Sequence, residues 1–383
     1  MNQPCSDPLA EARALRPLIE AQADATDDAI TLTEPVVDAF ARSGLFHLMV
    51  PRALGGLEAD PDTIIDVFEE LAQADGSIGW SVMANASATS YVAFLAPDAA
   101  KEIVGKPGGT IAGQFAPSGQ LRRENGHYRV SGRYQFGSGI GHATHAGGGG
   151  FLLDANDQPE TLPSGLPAYM CYFVPREGIE LLDGWDVMGL RGTGSFDYEV
   201  RDQLIEPGWA FPIFESEPKQ GGALFRIGAI ALAGLGHAGW GLGVAQRALD
   251  EIEKIVEGGR ARMGGAPLRD QQVFQREFAQ KTLALRSVRL LVHDVFGRIV
   301  AEMDRGEALR PAQMQEMTAA TAYMTEVCED VTLFAYRSAG SQGLRNPSRV
   351  QECFRDIMTG GRHLFVDKRS YEEFTKGTLG IEG

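Results

Sequence analysis

The sequence predicts an α+β protein, mostly α, in which a helical part, a β part and a second helical part follow one another. Three observations carry this. Apolar residues recur at helical spacing from about Pro8 to Val104. From about Thr110 to Phe214 short β-prone runs alternate with turn residues, and from about Gly221 onward helical periodicity returns in longer stretches. The boundaries fall at 1–108 for an N-terminal α-helical domain, 109–216 for a middle β-domain and 217–383 for a C-terminal four-helix bundle.

In the first part, Asp60-Pro61 is a helix start, an N-cap followed by proline at the first helical position. Ile64, Ile65, Val67, Phe68 and Leu71 follow with an inward-facing period, and a second helix is expected from about Ile78 to Leu95, stopping before Pro97. In the middle part, strands are expected at Thr110–Ala116, Tyr128–Phe136, Gly150–Asp154, Tyr169–Val174 and Phe196–Ile205, with Asn125-Gly126 as a hairpin turn. They read as a compact antiparallel sheet or small barrel. In the last part, Val273, Leu283, Val288, Leu291, Val295 and Ile299 mark the inner face of a helix over Leu268–Met303, and Pro311–Ala339 and Val350–Leu379 are read as further helices.

Composition bounds the function. With 383 residues, 44% hydrophobic and 22% charged, the chain is neither disordered, collagen-like nor a small disulfide scaffold. Thirty-five basic against 51 acidic residues leave −16, which argues against nucleic-acid and anionic-membrane partners. The start, Met1–Ala10, lacks the basic and apolar segments of a signal peptide. Cys5, Cys171, Cys328 and Cys353 have no metal-ligand spacing and read as free thiols of a cytoplasmic protein. Ile227–Gln246 is long and apolar enough for a membrane span. Its glycines at 228, 234, 236, 239, 241 and 243 instead suit a buried helix in close backbone contact.

The run Gly184-Trp185-Asp186-Val187-Met188-Gly189-Leu190-Arg191-Gly192-Thr193-Gly194-Ser195, followed by a strand ending in Glu206-Pro207, resembles the middle-domain signature of the acyl-CoA dehydrogenase superfamily. Phe136-Gly137-Ser138-Gly139-Ile140-Gly141-His142-Ala143 resembles the corresponding run of one branch, the two-component flavin-dependent monooxygenases. Arg355-Asp356, with His363 seven residues later, fits the same branch. The resemblance spans nearly the whole chain and implies the acyl-CoA dehydrogenase fold with its central β-barrel or sandwich.

It also implies a cofactor, reduced flavin as FMN or FAD, with O2 as co-substrate and a separate flavin reductase as partner. A flavin needs an apolar wall, hydrogen-bonding groups at N5 and the pyrimidine edge, and amides or cations for its phosphate. By resemblance, Phe136 and Gly137 lie on the strand passing the ring, and Ser138 is the hydroxyl near N5. Thr193 and Ser195 serve the ring edge or phosphate. His363 supports the C4a-hydroperoxide, and His142 orients flavin or substrate. Arg262 and the Gly340–Gly343 turn, Gly343 included, serve the phosphate end, held there partly by a neighbouring subunit in a homotetramer, a dimer of dimers. Met263 stands where that family has phenylalanine. Ordinary turn hydroxyls and packed histidines are the other reading of these residues, and His47, His127, His145, His237 and His293 are read as structural.

The dehydrogenases of the superfamily need a carboxylate base beside the flavin. One of its two locations reads Gly360-Gly361-Arg362-His363-Leu364-Phe365 here, and the other lies in a stretch without Asp or Glu between Glu217 and Asp250. The monooxygenases often carry a histidine eight residues after a tryptophan. Here Trp80 is followed at that distance by Ala88, leaving Trp80, Asn85 and Tyr91 as the substrate-facing candidates. The reading is a monooxygenase acting on a small hydrophobic cyclic substrate. A dehydrogenase or oxidase with a non-standard base and a non-catalytic partner subunit are the alternatives.

Overall fold

The computed structural model describes residues 7–106, 108–215, 217–261 and 265–381. Helices α1 (Pro8–Ala29), α2 (Glu34–Ser43), α3 (Pro61–Ala74), α4 (Gly76–Thr89) and α5 (Pro97–Val104) form the first part. Proline fixes the first-turn φ and has no N–H to leave unpaired there, and Pro8, Pro61 and Pro97 each open a helix. Asp60 caps α3 by accepting from the Thr63 N–H at 3.0 Å. The expected helix to Leu95 is shorter: α4 ends at Thr89 and a 3-10 turn covers Ser90–Phe94. The Thr89 and Ser90 hydroxyls donate back to the carbonyls of Asn85 and Ser87, each at 2.6 Å, at the point where the helix tightens.

Strands β1 (Ile111–Glu124), β2 (His127–Gly137), β3 (His145–Leu153), β4 (Tyr169–Pro175), β5 (Ile179–Leu182), β6 (Phe196–Ile205) and β7 (Ala210–Pro212) make one sheet in the order β5-β6-β2-β1-β3-β4-β7. Asn125 and Gly126, at φ 49° and 82°, close the β1–β2 hairpin, and Glu124 pairs with His127 across it. The sheet is not wholly antiparallel, because β1 and β3 run parallel. The short strands β5 and β7 lie at its two edges, where four and three residues leave too little alternation to read in the sequence.

The last part comprises α6 (Gly228–Glu257), α7 (Gln272–Asp304), α8 (Pro311–Ala339), α9 (Arg349–Gly360) and α10 (Arg369–Leu379). The helix expected over Val350–Leu379 is broken after Gly360, which places His363 in a turn instead of on a helix. Val288, Val295 and Ile299 of α7 are buried as expected, whereas Val273 and Leu283 are exposed. The apolar residues of α7 occupy two faces, of which only one meets this chain's core.

The two helical parts share one hydrophobic core, to which Ile111, Cys171, Phe173 and Phe211 of the sheet also contribute, and the sheet has a second of its own. The shared core is sealed by α6 lying on α3: a Cβ on Gly239 would collide with the Ile65 carbonyl, and one on Gly243 with the Glu69 carbonyl. This long apolar helix is therefore buried against protein, with 89% of its most apolar window covered. Replacing Gly243 by alanine sets a methyl against backbone that cannot rotate away. We expect a loss of about 1–3 kcal/mol in chemical denaturation; an unchanged midpoint would mean that the helices separate freely.

Candidate active site

The site is built on the turn that ends β2. Phe136 has φ 63°, Gly139 has φ 70°, and the Ser138 N–H donates to the Phe136 carbonyl at 2.9 Å. A left-handed conformation at a bulky aromatic residue is costly and concentrates at functional sites. Phe136 is also 57% exposed, edge-on to Trp185 with ring centroids 6.2 Å apart. The turn is held from below by Asn85, whose Nδ2 donates to the carbonyls of Ile111 at 3.2 Å and Ser138 at 3.4 Å. Those two donations fix the amide orientation, so Asn85 Oδ1 accepts from His142 Nε2 at 2.8 Å.

A second loop carries Thr193 and Ser195. Its backbone is clamped by carboxylates from both helical parts: Leu190 N–H donates to Asp356 at 2.6 Å and Gly192 N–H to Asp27 at 2.9 Å. Gly189 packs so tightly on α9 that a Cβ there would collide with the Arg355 carbonyl. Trp185 Nε1 reaches the carbonyls of Leu190 and Arg191. The glycine-rich signature is thus a docking surface between sheet and helices.

The two loops meet through hydroxyls. Trp80 Nε1 donates to Ser138 Oγ at 2.9 Å, Ser138 Oγ lies 2.7 Å from Ser195 Oγ, Ser195 Oγ lies 2.6 Å from Thr193 Oγ1, and Thr193 Oγ1 donates to the Leu190 carbonyl at 2.7 Å. Trp80 packs edge-on against Trp240 at 4.7 Å and stands 6.0 Å from the His363 ring. Gly360 supplies the closeness, since a Cβ there would strike both Trp240 and Trp80.

Trp80, Ser138, Thr193, Ser195 and His363 are therefore brought together, with exposed Phe136 at the rim and Gly137 buried behind it against Ile140 and Tyr198. His142 and Asn85 stand behind the turn, where all of Asn85's hydrogen-bonding capacity described above goes to protein groups. His142 stacks on Phe46 at 5.7 Å and its Nδ1 is buried without a partner. Tyr91 is buried away from this cluster against Phe115 and Phe211, its hydroxyl donating to the Ala229 carbonyl at 3.1 Å. Gly343 lies in the turn after α8, its carbonyl accepting from Gln351 at 3.1 Å. Arg262 lies outside the described residues. Two clefts, of about 600 Å³ on the sheet beside Arg133 and about 410 Å³ between Arg260, Lys281 and Arg337, are separate from the hydroxyl cluster.

The structure adds His237, read from the sequence as structural. Its ring is buried 5.7 Å from Trp80, 5.4 Å from Trp240 and 6.5 Å from His363. Thr325 gives its hydroxyl proton to the Thr321 carbonyl, so His237 Nε2–H donates to Thr325 at 3.2 Å and Nδ1 is left as a buried acceptor. The available signal was its isolation, the sole ionisable group in a long apolar run. Burial, aided by His363, pushes the His237 pKa down to about 3. Burial alone pushes His142 down to about 4. His363 is exposed on one side, yet the protein crowding its other sides pushes it down to about 4 as well. All three are neutral imidazoles at neutral pH.

Beneath the second loop, Asp75 is held up to about 7, chiefly by burial and further by Asp27, while the Ile78 N–H and Arg349 oppose the shift. Glu352 adds to it, and Asp356, packed nearby, is itself raised by burial. A folded-state value above the unfolded one means that stability falls as pH rises from about 4 to about 7. Asp75→Asn keeps the cap and removes the charge. Its melting temperature is expected to overtake wild type increasingly between pH 5 and pH 8; a pH-independent gap would exclude Asp75 as the titrating group.

A flavin fits these residues. Ser138 Oγ has hydrogen-bonding capacity left over, Phe136 offers an exposed aromatic face beside it, and neutral imidazole sits across Trp80. The acyl-CoA dehydrogenase N-terminal domain family matches residues 12–104 and the acyl-CoA dehydrogenase C-terminal domain family residues 235–368. The chain is 28% identical to an indole-3-acetate monooxygenase of Pseudomonas putida, covering 95% of this chain and 93% of that protein. It is 25% identical to the flavin-dependent monooxygenase oxygenase subunit HsaA of Rhodococcus jostii, covering 96% and 97%. The solved structure of XiaF from Streptomyces sp., in complex with FADH2 and glycerol, superposes with a TM-score of 0.88 at 21% identity, covering 98% of this chain and 96% of that one. The chain belongs to the acyl-CoA dehydrogenase superfamily, and the curated relatives it resembles along nearly its whole length are monooxygenases, among them a flavin-dependent oxygenase subunit.

Proposed function

We propose that this chain is the oxygenase component of a two-component monooxygenase, receiving reduced FMN or FAD from a separate reductase and oxygenating a small, flat, hydrophobic ring. The observation that carries this is the Ser138 hydroxyl held between Trp80 and Ser195 with neutral His363 across the same tryptophan. The bound flavin would supply the oxygen-activating chemistry. The chain's residues would present a hydrogen-bonding group to N5 and an aromatic wall. The dehydrogenase alternative is not favoured by the carboxylates described on the neighbouring helices: Asp356 is committed to the Leu190 N–H, and Glu329 is paired with Arg362 at 2.8 Å. By analogy with the Pseudomonas relative, named an indole-3-acetate monooxygenase, the substrate class is an indole-like aromatic. Incubation with reduced flavin, 18O2 and an aromatic panel should give singly labelled product. Flavin bleaching by acyl thioesters with no oxygen incorporation would overturn this reading.

Assembly as a homotetramer, a dimer of dimers, is part of the same proposal. It is supported by the outer face of α7, which presents Val273, Leu283 and Leu290 to solvent at 56%, 61% and 62% exposure. Leu283→Glu with Leu290→Glu should shift light scattering to a smaller species, and an unchanged mass would place any interface elsewhere. A cytoplasmic location is supported by Cys171, Cys328 and Cys353, which are buried and unpaired. Cys5 lies outside the described residues.

A further inference from the structure

The hydroxyl chain has a direction, and it runs away from the place where a cofactor would sit. Thr193 has one hydroxyl proton, and the Leu190 carbonyl takes it at 2.7 Å. Thr193 Oγ1 is then an acceptor toward Ser195, so Ser195 is the donor across 2.6 Å. With its proton spent there, Ser195 accepts from Ser138 across 2.7 Å. Ser138 therefore donates to Ser195 and accepts from the Trp80 N–H, which can only donate. A hydroxyl donates one hydrogen bond and accepts two, so Ser138 Oγ retains one lone pair and no proton.

We propose that Thr193 and Ser195 make Ser138 an obligate acceptor and thereby select reduced flavin, whose N5 carries a hydrogen, over oxidised flavin, whose N5 is a bare acceptor. The proposal rests on the reading above that Ser138 meets N5. Oxidised flavin would bring two lone pairs together, or would require all three hydroxyls to turn and the Thr193–Leu190 bond to break. Thr193, fully buried, and Ser195, 2% exposed, are positioning residues, since they act through Ser138. The sink is firmly placed, because the Leu190 N–H is itself anchored on Asp356 and Trp185 Nε1 braces the same carbonyl.

The test is the ratio of dissociation constants for oxidised and reduced FMN and FAD, measured anaerobically on the purified chain, together with the midpoint potential of the bound flavin. In Thr193→Val, Ser195 loses its acceptor and is free to turn toward Ser138. In Ser195→Ala, the Ser138 proton is released directly. Both variants are expected to lower the preference for reduced flavin about tenfold, which for a two-electron couple lowers the bound potential by about 30 mV. Thr193→Ser, which restores the hydroxyl, should return both quantities to wild type. If wild type binds reduced flavin and both variants keep its ratio and potential, the polarity inference is overturned while the oxygenase reading stands. If wild type binds no reduced flavin, the reading of the site fails and takes the inference with it.

Discussion

A Gly189→Val chain is expected to lose about 3 kcal/mol of stability and to bind reduced flavin at least tenfold more weakly. The new side chain would meet the Arg355 carbonyl and the Asp356 N–H, backbone in the middle of a helix, so no rotamer change relieves it. Relief has to come from lifting the 184–195 loop off α9. That movement breaks the Leu190 N–H to Asp356 bond and drags Thr193 and Ser195 away from Ser138. Asp356→Leu tests the same contact from the other side. It leaves the Leu190 N–H buried without an acceptor, at a cost of about 1–3 kcal/mol, whereas Asp356→Asn retains an acceptor and should be milder. Calorimetry and flavin titration on the three variants check the order Gly189→Val, Asp356→Leu, Asp356→Asn. A Gly189→Val protein with native stability and full flavin affinity would show that the loop is not seated on α9.

His363→Ala is expected to lower the fraction of consumed reduced flavin that emerges as oxygenated product about tenfold, with hydrogen peroxide rising in step. That factor corresponds to about 1.4 kcal/mol, the scale of one hydrogen bond. His363→Gln, a neutral side chain that can still donate and accept, should recover part of the loss. The pH profile discriminates further. Because its surroundings hold His363 down at about 4, the imidazole is neutral throughout the physiological range. Coupling carried by this residue should then stay level from about pH 6 to pH 8 and fall only as pH approaches the depressed value. An inflection near 6.5 that vanishes in His363→Ala would mean a solvated, ordinary histidine instead.

Much of this was legible in the sequence, and the reasons differ by element. Asp60-Pro61 and Asn125-Gly126 worked because each acts through its own backbone, a cap and a left-handed turn, and needs no distant partner. Ser138, Thr193 and Ser195 were legible because two glycine-rich loops carry them, whereas Trp80, on helix α4, was singled out only by a spacing that the resemblance supplies. What sequence could not supply was the facing of residues along a helix. Asn85 and Tyr91 share α4 and the turn after it with Trp80, yet one braces a turn, one closes the core and one reaches Ser138. His237 was hidden for the same reason: only the packing of α6 against α4 brings it beside Trp80 and His363. The break after Gly360 was obscured because apolar spacing continues through it, although it is the break that swings His363 toward the tryptophans.

The core shared by the two helical parts has a consequence for how the chain is made. On a ribosome, α3 emerges with Ile65 and Phe68 ready for burial, but their partner α6 arrives only after the entire sheet has been synthesised. The sheet, with its own core, is able to close while the first helices wait. Contacts of such long sequence separation are slow to form, so assembly of the helical parts is expected to come late and to limit the folding rate. Their separation would expose an apolar surface that invites association before it invites refolding.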